Sequence, residues 1–110
     1  MDTQEIKQSI ERVEAFADQA KGTLRSGNVP QDLQQCILDL HQQASQAKHS
    51  GSTDENMLRQ TVMQLEQTAD GAMQACRQAG SVDPKTQQAV QGAHDELSRL
   101  KKQMQAGSMA

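Results

Sequence analysis

Apolar residues recur along this chain at alternating spacings of four and three, in four separate runs. The first is Ile6, Ile10, Val13, Ala17, Ala20 and Leu24, and the second is Leu33, Ile37, Leu40, Ala44 and Ala47. The third is Leu58, Val62, Leu65, Ala69, Ala72 and Cys76. The fourth is Thr86, Val90, Ala93, Leu97, Leu100 and Met104. A 4-3 rhythm keeps one stripe on one face of an α-helix and is incompatible with the two-residue period of a strand. Most positions between are polar, and many are glutamine, of which the chain has nineteen. A narrow stripe on an otherwise hydrophilic helix buries only against similar stripes. The spacing therefore predicts an all-α protein, an antiparallel four-helix bundle.

The breaks between the runs carry the chemistry of helix ends. Gly27 and Asn28 tolerate the left-handed geometry of a helix stop, and Pro30 fits the first turn of the second helix. The stretch 50–55 is a polar loop that offers Ser52, Thr53 or Asp54 as the cap of the third helix. Gly80 ends the third helix, and Asp83 followed by Pro84 begins the fourth. One domain is expected over 1–104, made of a hairpin at about 3–49 and another at about 54–104, with a frayed tail at 105–110.

The two hairpins match each other. A shift of 53 carries His41 onto His94 and Lys48 onto Lys101, and a shift of 52 carries Glu14 onto Glu66 and Asp18 onto Asp70. Every seam position falls on a seam position, which points to duplication of one helical hairpin. Pairing the hairpins in layers brings Ala17, Leu40, Ala69 and Ala93 to one level. This level is nearly all alanine, and the single aromatic residue, Phe16, is expected to fill it from the side. Alanine burial stabilises far less than leucine burial, so two chains are expected to associate about as readily as one stands alone.

The bulk numbers exclude several functions. The net charge is −3, with both signs interspersed, which is not a field for nucleic acid or acidic lipid. No apolar run reaches the ~18 residues of a membrane span. The opening residues lack the basic and apolar regions of a secretory signal, so the expected compartment is the cytoplasm. Gly22, Gly71 and Gly92 stand alone inside helices, where they suggest close helix contacts.

Candidate chemistry is sparse. No nucleophile–base pair, phosphate loop or paired catalytic carboxylate emerges, so an enzyme is not expected. His41 and His94 lack the Glu-x-x-His spacing of di-metal bundles, having Leu38 and Gln91 three residues earlier. They read as boundary histidines that bond polar neighbours. Asp95 and Glu96 beside His94 oppose a phosphoryl group, which disfavours phosphorelay. Cys36 and Cys76 fall near one end of the bundle, about one helical turn apart in height, which is marginal for a disulfide.

The expected function is that of a small non-catalytic interaction protein. It would act by self-association, as a possible homodimer, or through a helix face that meets a protein partner, with no cofactor or metal. Phe16, Cys36, Met63 and Met73, at the seam edges, are the candidate contact residues, although Met63 and Met73 read more simply as extra core. The alternative is a small metal- or redox-responsive protein using His41 and His94 or Cys36 and Cys76.

Overall fold

A computed structural model describes residues 3–24, 29–49, 54–80 and 82–108. They form four helices, α1 (Thr3–Thr23), α2 (Gln31–His49), α3 (Glu55–Ala79) and α4 (Pro84–Ser108), packed as a four-helix bundle. Neighbours around the bundle are α1 with α2, α2 with α3, α3 with α4, and α4 with α1. Side-chain pairs run in opposite senses along adjacent helices. Glu14 and Asp18 meet Lys48 and His41, and Glu66 and Asp70 meet Lys101 and His94. Each helix is thus antiparallel to the next.

The helix ends follow local chemistry. Asp54 caps α3, its carboxylate accepting from the Asn56 amide at 2.9 Å. Asp83 caps α4 in the same way through the Lys85 amide, at 2.9 Å. Gly80 ends α3 at φ 76°, a backbone angle that suits a residue without Cβ. Pro30 stands one position earlier than expected: its carbonyl accepts from the Gln34 amide at 2.9 Å, so it caps α2 instead of opening it. The expected stop at Gly27 and Asn28, and the caps Ser52 and Thr53, lie outside the described residues. The helix α4 is continuous to Ser108, past the last seam residue, Met104. Gln105 and Ala106 are good helix formers, so the ladder outlasts the apolar seam.

The core is built on the four seams, joined by Val29, Val82 and Ala89. Every seam residue is buried except Leu24, which packs partly buried against the turn end. The interior divides into two apolar clusters. A larger one, around Ile10, Leu65, Leu97 and Leu100, lies toward the α2–α3 loop. A smaller one, around Leu33, Ile37, Ala72 and Val90, lies toward the two turns and also buries Val29 and Val82. Thr86 is a polar seam residue with no exposure. The Thr23 hydroxyl donates to the Ala20 carbonyl at 2.7 Å, which leaves its oxygen to accept from Thr86. That bond satisfies a hydroxyl which would otherwise be costly to bury.

Phe16 packs partly buried against the larger cluster, at the alanine level. A Cβ placed on Gly92 would lie 2.6 Å from its ring, so Gly92 is the notch in α4 that admits the aromatic side chain. Gly71 has only an ordinary contact, 3.8 Å to the Cys36 sulfur, and Gly22 has nothing within 4 Å. Of Gly22, Gly71 and Gly92, then, only Gly92 marks a close approach that a Cβ would block.

Candidate interaction surface

The four grooves between adjacent helices are not equivalent. In the α1/α4 groove Glu96 is the hub. It accepts from Arg12 at 2.9 Å and Arg99 at 2.7 Å, and it is bonded by Ser9. Its side chain is only 10% exposed. Burial pushes the Glu96 carboxyl up, but the hydrogen bonds from Arg12, Arg99 and Ser9 together outweigh it and hold the group below the usual carboxylate range.

The α1/α2 and α3/α4 grooves carry matching polar contacts. His41 Nε2 lies 3.4 Å from Asp18, and His94 Nε2 lies 3.3 Å from Asp70. Lys48 meets Glu14 at 3.6 Å, and Lys101 meets Glu66 at 2.9 Å. Each histidine side chain is 24% exposed and bound to its own carboxylate, in a different groove from the other histidine. Among the described residues, no group of three or more His, Cys, Asp and Glu side chains could hold a metal ion.

The α2/α3 groove is bridged by neutral groups, with the carboxylates of Asp39 and Asp32 on its α2 side near Cys36. Thr68 of α3 donates to Gln43 of α2 at 2.8 Å. Toward the loop end the groove opens into a cleft of about 180 Å³, lined by Gln43, Gln46, Thr61 and Gln64 with Ala47, Met57 and Leu58. None of the ion pairs described above crosses from α2 to α3.

The four candidate contact residues do not form one surface. Phe16 belongs to the α1/α4 contact, and Cys36 packs toward Gly71 in the α2/α3 contact. Met73 lines the α3/α4 groove with Cys76, Arg77, Gln87 and Gln91, packed against the smaller cluster as extra core. Met63 is 52% exposed, so its reading as extra core is corrected: three positions from Glu66 and four from Arg59, it rides outside the seam. Among the described residues the most exposed large apolar side chain is Met57, at 56%, which is not one of the four candidates. Its signal was available, since it sits one position before Leu58 in the first turn of α3, off the seam.

Both cysteines are free. Burial pushes the Cys36 thiol up, and the carboxylates of Asp39 and then Asp32 add to the shift. Burial also pushes the Cys76 thiol up, with Cys36 contributing. Thiols held in this way carry little thiolate at neutral pH, which slows exchange chemistry. No helix among the described residues is long and apolar enough to cross a membrane. No protein-family model, curated protein or solved structure matches the chain.

Proposed function

We propose that this chain is a small non-catalytic interaction protein that acts through self-association or through a helix face that receives a partner helix. One observation carries the reading. Leu38, Met57 and Met63 hold large apolar side chains out in water on α2 and α3, although the bundle has its own buried core without them. Exposed methionines make soft, adaptable contacts. Several ionisable groups, by contrast, meet in pairs between helices, and among the described residues no group of three or more His, Cys, Asp and Glu could hold a metal ion.

The paired histidines and the shifted thiols weigh against the metal- or redox-responsive alternative. Free thiols suit a reducing compartment, which supports residence in the cytoplasm. The matched pairs Asp18–His41 with Asp70–His94, and Glu14–Lys48 with Glu66–Lys101, support descent of the bundle from one duplicated hairpin.

The test is absolute solution mass by light scattering over a concentration series, with and without reductant, followed by affinity capture with the same chain. Association above the 12.0 kDa chain mass, or a captured protein, is expected. Replacing Leu38, Met57 and Met63 together by serine should abolish it without loss of helix by circular dichroism. A single-chain mass at every concentration together with no captured protein would overturn the reading, as would association that survives the triple replacement.

A further inference from the structure

The described residues hold six sulfur atoms, in Cys36, Met57, Met63, Met73, Cys76 and Met104, and access divides them. Met57 is 56% exposed and Met63 is 52% exposed. Met104 and Cys76 are each 7% exposed, within the core. Met73 and Cys36 pack partly buried against the smaller cluster. The two open thioethers both belong to α3, six residues apart. At about 1.5 Å and 100° per residue they stand about 9 Å apart along the axis and about 120° apart around it. Met57 lines the α2/α3 cleft, and Met63 lies three residues before Glu66, whose partner Lys101 belongs to α4. They therefore mark the two flanks of the outer surface of α3.

We propose that Met57 and Met63 are a modification site for peroxide oxidants, each taking up one oxygen atom while the other four described sulfurs are spared and the bundle stays folded. The proposal rests on access and sulfur chemistry, and it does not depend on the interaction reading above.

The peroxide itself balances the step. A lone pair of the methionine Sδ attacks one peroxide oxygen, so an S–O bond forms and the O–O bond breaks. The sulfur is oxidised by two electrons to the sulfoxide, and the hydroxide that leaves is protonated to water. A thioether has no proton to lose, so access sets its reactivity and pH does not. A thiol reacts as its thiolate. Burial pushes both thiols up, and the carboxylates of Asp39 and Asp32 oppose the Cys36 thiolate further. Mild acid therefore favours the open thioethers over the thiols.

Position decides what the added oxygen does to the fold. A sulfoxide turns an apolar side chain into a polar one that accepts hydrogen bonds. On the outside of α3, water satisfies the new acceptor. At Met104 or Met73 the same group would enter an apolar cluster, where an acceptor without a donor is costly. The two accessible positions are thus also the two that tolerate the change. Oxidation turns the outer surface of α3 from apolar to polar and leaves the core as it was.

Graded hydrogen peroxide at about pH 6, followed by tandem mass spectrometry of the digested full chain, tests this. Met57 and Met63 should each gain one oxygen roughly tenfold faster than Met73 or Met104, with Cys36 and Cys76 still open to alkylation after denaturation. Met1 and Met109, outside the described residues, are mapped separately. Protein oxidised at both positions should keep the helical circular dichroism and the urea midpoint of the untreated chain. In the variant Met57→Leu, Met63→Leu, which conserves side-chain volume, no other described sulfur should take over the fast reaction.

Comparable oxidation of Met73 or Met104, earlier loss of either thiol, or unfolding once Met57 and Met63 are oxidised would overturn the proposal. Slow oxidation of Met57 and Met63 overturns it as well. Slowing that grows with protein concentration would do so while supporting self-association, so the two readings fail separately.

Discussion

Phe16 and Gly92 show how much a single side chain determines here. The ring lies in the gap left by a missing Cβ, beside the level where Ala17, Ala69 and Ala93 surround Leu40. Gly92→Ala should therefore destabilise the bundle despite alanine's helix propensity, and the loss should shrink when Phe16 is also cut back to leucine. Chemical denaturation of the two single variants and the double variant checks this coupling. Gly22→Ala, in open space, should instead stabilise by roughly 0.5 kcal/mol. Glu96 supplies a pH dependence. Its folded carboxyl titrates below the ordinary value of about 4.3 that it regains on unfolding. Its contribution is thus complete above that ordinary value and is lost as pH falls through the lower folded value. The stability gap between wild type and Glu96→Gln, measured by urea unfolding, should stay level at neutral pH and narrow in acid. A gap that is constant into the acid range would show that Glu96 is not held by its arginines.

The helices themselves were almost entirely legible as stripes and caps. A 4-3 seam forces one face inward whatever its neighbours are, so burial followed from spacing alone, even at Thr86. Asp83 before Pro84 satisfies one orphan amide of α4, that of Lys85, as its residue type suggests, and Asp83→Ala should cost about 1 kcal/mol, as should Asp54→Ala on α3. Thermal melting of either variant checks the caps. The candidate surface was less legible. Phe16, Cys36, Met63 and Met73 all flank seams, but a flank position says nothing about which neighbouring helix it meets. Met63 and Met73 are ten residues apart on one helix, yet Met73 reaches the core edge and Met63 does not. That Arg12 and Glu96 bridge one groove and Thr68 and Gln43 another is likewise a property of pairs across helices, and a single stripe does not contain it.

For the whole molecule, the weakest level of the core is the one richest in alanine. Leu40 is its only large aliphatic member, so Leu40→Ala should cost on the order of 3 kcal/mol and leave a void that no nearby leucine fills. Equilibrium unfolding would read this directly. The division of the interior into two clusters has a kinetic side. The loop-end cluster holds most of the leucines and isoleucines, whereas the turn-end cluster depends on smaller residues such as Ala20, Ala72, Cys76 and Ala89. Less buried apolar area means a smaller free energy of local opening. Amide protons around Ile37 and Val90 should therefore exchange with deuterium through partial openings that leave those around Leu65 and Leu97 protected. The bundle would then behave as two cooperative units stacked end to end along the same four helices, with the alanine level at the edge of the larger unit that faces the smaller one.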